Sequence, residues 1–195
     1  MGDKYRDYEE LCAHEKLDTD FCIYIRDADT AVAVIAPHGG KIERGTSELA
    51  KAIGGAEYRI YCFEGAKPRN NSYLHLTSAN FDEPRCLELL KDCDYVVAVH
   101  GCAEGGKTIF LGGRDTALRD AIGANLVAAG FKAGIHKNKN LQGTSTDNIC
   151  NRGRRRRGVQ LEIGPDLRDA ICVAHGAERL NRLAGCIRAA IAEAD

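Results

Sequence analysis

What the chain lacks narrows it first. No run of about 18 apolar residues occurs, which excludes a transmembrane helix. The opening stretch, "MGDKYRDYEELCAHEKLD", is charged throughout and has no apolar h-region, so no secretory signal is expected and a cytoplasmic location is. Gly2 stands where N-myristoylation needs it, but Arg6 replaces the Ser or Thr such a site prefers. No sign of charge dominates. Lys and Arg number 27 against 28 Asp and Glu, and the net −1 argues against a general polyanion binder while leaving room for a local basic patch. The nine cysteines are scattered and contain no C-x-x-C, so neither a zinc finger nor a redox pair is expected. Cys22, Cys62, Cys172 and Cys186 lie in apolar runs and read as small buried hydrophobes.

What is present reads as alternating strands and helices over 195 residues, the length of one domain, 1–195. Residues 20–27 alternate as a half-buried strand. Residues 30–37, closed by Pro37, and 94–101 are the continuous apolar runs of central strands. Strands are also expected at 58–65, 73–78, 107–113 and 159–164, and helices at 45–55, 81–93, 114–131 and from Leu167 onward. Thr46 or Ser47 is the expected cap of the first of these helices. The polar stretch 136–158 reads as a surface or active-site loop. Together these give an α/β fold: a mixed, mostly parallel open sheet with helices on both faces.

Ligands of such sheets bind at the carboxyl ends of the strands. One strand ends at His38, with Glu43 five positions on, and another ends at His100. Glu162 lies near the end of a third. Two imidazoles and a carboxylate are the ligand set of many hydrolytic zinc sites, and a second carboxylate can serve as general base. Gly39 and Gly40 allow the chain to turn back so that His38 and Glu43 face one point. A strand-end histidine held only by structural hydrogen bonds remains the alternative for each imidazole.

Four blocks, "APHGGKIERGTSELA", "YCFEGAKPRNNSYLHLTSANFDEP", "VVAVHG" and "RGVQLEIG", resemble in their order the phage-related poly-γ-glutamate hydrolases. The resemblance spans about Ala36 to Arg168 and implies a zinc-carboxypeptidase-like fold. It implies one zinc ion with His38, Glu43 and His100 as ligands, and Glu162 as the general base of a zinc-activated water that attacks a γ-glutamyl amide. The H-x4-E spacing departs from the H-x-x-E of ordinary zinc carboxypeptidases. Asn151-Arg152 is superficially similar to their carboxylate-binding Asn-Arg pair, but here it follows His100. The resemblance also adds release by phage lysis as a route out of the cytoplasm.

A γ-linked polymer keeps a free α-carboxylate on every residue, so its pocket needs cationic donors. Arg152 and Arg157 of "NRGRRRRG", Arg168, and His75 between Leu74 and Leu76 are the expected substrate contacts. A zinc acylase acting on a small N-acyl or γ-glutamyl amino acid would share the mechanism and differ in pocket size. A nucleic-acid-binding module built on the arginine run is a distant third reading, since no aromatics interleave with that run. No nucleic acid and no membrane is therefore expected as partner, and the sequence leaves the oligomeric state open.

Overall fold

A computed structural model describes residues 2–195. Seven strands form one sheet in the order β1-β3-β2-β4-β7-β5-β6. They are β1 (Phe21–Arg26), β2 (Val32–Gly40), β3 (Arg59–Gly65), β4 (Tyr95–Gly101), β5 (Thr108–Gly113), β6 (Lys132–Ile135) and β7 (Val159–Ile163). The central strands β3, β2, β4 and β7 are parallel. β1 runs antiparallel to β3, and β5 antiparallel to β7.

Alternation along the strands builds two cores. Val32, Val34 and Ala36 of β2, with Val97, Val99, Leu161 and Ile163, face α2 (Thr46–Gly54), α4 (Thr116–Ala128), α5 (Pro165–Cys172) and α6 (Ala177–Ala194). Ala33 and Ile35, with Val96 and Ala98, face α1 (Tyr8–His14), α3 (Pro84–Leu90) and the segment holding Leu74, Leu76 and Phe81. Burying both faces is what the continuous apolar runs require. The stripe on α6 packs as expected, with Leu183, Ile187 and Ile191 buried and Leu180 partly so.

Several expectations are corrected. Residues 73–78 form no strand. A 3₁₀ turn covers Asn71–Leu74, and β1 already occupies the free edge of β3. The Leu74/Leu76 alternation is real, but it serves burial rather than a ladder. Thr46 and Ser47 do not cap α2, whose N-cap is Gly45. The C-terminal helical stretch divides into α5 and α6 around Gly176, where a Cβ would lie 2.7 Å from the carbonyls of Ala170 and Ile171. All nine cysteines are free, and Cys62 is buried as read, whereas Cys22, Cys172 and Cys186 are only partly so.

Pro37 does not end β2. Pairing with β3 breaks between Ala36 and Gly39 and resumes at Gly39↔Glu64 and Gly40↔Gly65. The bulge accommodates a residue with no N–H to donate. It also changes which face His38 takes. Strict alternation would put His38 with Val32, Val34 and Ala36, yet its ring packs edge-on to Phe81, in the opposite core.

Candidate metal centre

Once the bulge has re-aimed His38, four titratable groups meet on one face of the sheet. His100 ends β4 on the face of Val96 and Ala98, and β7 pairs alongside in the register His100↔Glu162. Gln160 and Glu162 share that face, because Val159, Leu161 and Ile163 take the other. The turn after β2 delivers Glu43. Gly40 has φ +61, and a Cβ on it would meet the Gly65 carbonyl at 2.7 Å. A Cβ on Gly39 would lie 2.1 Å from Ser47 Oγ. Glycine is required at both positions. The hydroxyls expected to cap α2 bind this turn instead: Ser47 Oγ accepts from the Gly40 N–H, and Thr46 Oγ1 donates to the Glu43 carbonyl.

His38 Nε2 lies 2.7 Å from the Leu76 carbonyl, which can only accept, so Nε2 carries a proton and Nδ1 is left to face the centre. Nδ1 is 3.4 Å from Glu43 Oε1 and 3.1 Å from His100 Nδ1. His100 Nδ1 is 3.9 Å from Glu43 Oε2, and that oxygen accepts the Gly101 N–H at 2.8 Å. Ligands about 2.0–2.2 Å from one tetrahedral ion lie roughly 3.3–3.6 Å from one another. Here one separation falls in that range and the other two bracket it, with Glu43 turning one oxygen to each imidazole. A carbonyl on the far nitrogen of His38 is the partner that a metal-binding imidazole usually has.

A second trio overlaps the first. His75 Nε2 lies 3.9 Å from Glu43 Oε1, so His38, Glu43 and His75 also converge. His75 stacks face to face on His38 with centroids 4.0 Å apart, and it is 36% exposed, whereas His100 is buried. The two trios share His38 and Glu43 and differ in their third group, the buried His100 or the half-exposed His75. Asp3 orients His75, accepting from Nδ1 at 2.9 Å while its other oxygen accepts the Thr77 N–H at 2.6 Å.

Burial alone would raise the Glu43 carboxyl, but the imidazoles of His38 and then His100 reverse this and hold it at about 2. Burial, then the His38 charge, pushes His100 down to about 3. Burial opposes protonation of His38 as well, and the Glu43 carboxylate outweighs it, so His38 is raised. Glu162 goes the other way. Desolvation, then repulsion from Glu43, lifts it to about 8, although Gln160 Nε2 donates to its Oε1 at 2.9 Å. Asn148 in turn donates to Gln160 at 2.8 Å.

The raised carboxyl has a consequence for the metal-free fold. Below about pH 4.5 both folded and unfolded Glu162 are protonated and nothing is lost. Between 4.5 and 8 the unfolded state releases its proton first, so stability falls as pH rises. Above 8 the ionised carboxylate costs on the order of 3–5 kcal/mol. Glu162→Gln in chelator-treated protein is therefore expected to raise Tm by roughly 5–15 °C at pH 9 and hardly at all at pH 5. A Tm difference independent of pH would contradict the assignment.

The cleft over this centre is a cavity of about 1290 Å³. His38, Glu43, His75, His100, Gln160 and Glu162 line it, together with residues of the 139–148 segment. Of the expected substrate residues only His75 lines it. Arg152 and Arg157 belong to the segment that enters β7, at the amino edge of the parallel strands, away from His100. There Arg154 pairs with Asp94 at 2.9 Å, Arg155 and Arg157 approach Asp115, and Arg155 covers the Tyr95 ring. Arg154, Arg155 and Arg157 of the run are thus engaged with carboxylates, and no arginine of the run lines the cleft. Arg168 is spent on the carbonyls of Ile163, Arg44 and Cys102, behind the site, and fixes the Gly101–Cys102 corner. The sequence reading missed Lys139, the one Lys or Arg lining the cleft among the described residues, as well as Asp3, Gln160 and Asn148. Period-two alternation in "VQLEIG" was the available signal for Gln160. Asp3 had none, since it lies 72 residues from its partner.

The sheet and its two helical layers have a zinc-carboxypeptidase-like α/β fold, and the strand ends carry a candidate metal centre. Comparison with known proteins makes the assignment narrower. The family model for poly-gamma-glutamate hydrolase matches residues 5–186, and the chain belongs to that family. The SPbeta prophage-derived protein YoqZ of Bacillus subtilis (strain 168) is 40% identical over 168 residues. That match takes in 86% of this chain and 61% of YoqZ, so the chain spans about three fifths of that relative's length. The structure of bacteriophage poly-gamma-glutamate hydrolase superposes with a TM-score of 0.92 at 30% identity, covering 98% of both chains. The zinc-free apo structure of YndL does so with 0.91 at 32% identity, also covering 98% of both. No described helix is long and apolar enough to cross a membrane.

Proposed function

We propose that the chain hydrolyses γ-glutamyl amide bonds of poly-γ-glutamate with one zinc ion held by His38 Nδ1, the Glu43 carboxylate and His100 Nδ1. The observation that carries this reading is the convergence of those three groups within 3.1–3.9 Å, beside a buried carboxyl whose pKa stands near 8. Zinc bound there supplies Lewis acidity, polarising the scissile carbonyl and acidifying water. The rest is the work of this chain's residues. Glu162 Oε1 is held by Gln160, which leaves Oε2 to accept a proton from the attacking water and return it to the leaving amine. His75, whose Nδ1–H is given to Asp3, presents an unprotonated Nε2 at the cleft, where it can accept a hydrogen bond from an amide N–H of the substrate. Lys139 replaces the arginines as the cation for a free α-carboxylate.

A cleft of about 1290 Å³ suits an extended chain better than a small amino-acid derivative. The test compares γ-polyglutamate, followed by loss of chain length, with γ-glutamyl anilide and N-acyl amino acids. Chain shortening that disappears with chelator and returns with zinc is expected. Turnover confined to the small amides would transfer the site to an acylase. No turnover on any of them, with zinc present in stoichiometric amount, would remove the hydrolase reading.

A further inference from the structure

A second cavity, of about 460 Å³, lies outside the catalytic cleft and has a net positive lining. Lys107, Lys132, His175, Arg179 and Arg182 line it, with Glu178 as the single carboxylate. All are exposed. Among the described residues none of these basic groups is ion-paired, and Arg182 alone is engaged, with the Ala129 carbonyl and the Phe131 ring. A net charge of −1 for the whole chain makes this concentration a local feature rather than a general one. Arg179 and Arg182 are three apart on α6 and so share a face. Lys132 opens β6 beside Thr108, in the register Thr108↔Lys132.

Topology brings this cavity and the cleft, which opens on the opposite face of the sheet, to the same end of the strands. β5 runs antiparallel to β7, so its start lies at the same end of the sheet as Glu162 and Ile163. One loop joins the two cavities: Gly101 to Glu104 line the cleft, and Lys107 lines the basic cavity. Three residues of chain reach at most about 11 Å, so the two rims are neighbours. Phe131 and Leu167 at the base of the cavity supply an apolar floor.

We propose that this cavity is a second binding surface for a carboxylate polymer, which holds a stretch of γ-linked chain while another stretch lies over the catalytic centre. The inference rests on the polymer reading of the cleft. A polymer with one carboxylate per residue presents charges in series, and unpaired guanidinium and ammonium groups match them. Engaging two surfaces at once raises the effective concentration of substrate at the centre without any new catalytic contact. The surface therefore acts through KM on long chains and leaves kcat and short substrates alone.

The test uses the full chain carrying Glu162→Gln, so that labelled γ-polyglutamate is bound and not cut. Its anisotropy is compared with that of the same protein carrying Lys132→Glu and Arg179→Glu. A roughly tenfold weaker Kd is expected from the charge reversals, and a smaller loss from Lys132→Gln with Arg179→Gln, with unchanged thermal unfolding as the control for folding. Binding should also weaken from 50 to 300 mM salt. In the catalytically intact chain, the reversals should raise KM on long polymer about tenfold and leave turnover of a γ-glutamyl trimer unchanged. An unchanged Kd, or equal losses on polymer and trimer, overturns the proposal. If the intact chain binds polymer with this charge sensitivity but never cuts it, the binding surface stands and the hydrolase reading falls. Cutting with an unchanged Kd gives the reverse.

Discussion

Glu162→Gln is expected to lower turnover of γ-polyglutamate by about 10³-fold, within the 10²–10⁴ range of a removed general base, while the protein retains its full complement of zinc. The argument starts from position. Glu162 is in register with His100 on β7, yet it is not among the groups that face one another at His38 Nδ1. Its environment keeps it protonatable near neutral pH, first through desolvation and then through Glu43, which itself stays ionised at about 2. Two carboxyls pushed apart in this way divide the labour, one as permanent anion and one as proton carrier. Gln keeps the acceptor for Gln160 and the shape, and loses only the ability to take a proton. Zinc content is measured by atomic absorption and rates by loss of chain length. More than a tenth of wild-type turnover in the variant would remove Glu162 from proton transfer, and loss of zinc would make it a ligand instead.

Much of this centre could be read from the sequence, and the parts that could not have physical causes. Continuous apolar runs at 30–37 and 94–101 give the central strands directly, because burial on both faces leaves no room for polar residues. His100 and Glu162 follow by alternation. His38 does not, since parity sends it to the wrong core until the bulge at Pro37 is known. β6, four residues long at the sheet edge and half-exposed, carries no pattern to read. The arginine run stands close to Glu162 in sequence, yet a parallel strand separates its amino end from its carboxyl end, and the run finds Asp94 and Asp115 there. Asp3 and Lys139 reach the site only through tertiary packing.

His100→Ala is expected to lower zinc affinity by at least 10²-fold and to abolish polymer cleavage under chelating conditions that the wild type survives. The corresponding loss for His75→Ala should be no more than a few-fold in affinity, with most of its effect on turnover. The contrast decides between the two overlapping trios. His100 Nδ1 lies 3.1 Å from His38 Nδ1 and is almost wholly buried, so its removal leaves the adjacent His38 and Glu43 facing an unfilled polar gap. His75 stands at the open side, stacked on His38 and steered by Asp3, where solvent can take its place. Removing an inner ligand from a three-residue set leaves two, too few for tight binding of zinc. Removing a neighbour that only stacks on His38, whose far nitrogen stays on the Leu76 carbonyl, leaves the inner groups oriented. Competition titration with a chromophoric chelator gives both affinities on one scale. Equal losses from the two variants would make His75 a full ligand. A loss confined to His75→Ala would move the ion to the His38–Glu43–His75 trio and leave His100 as the positioning group.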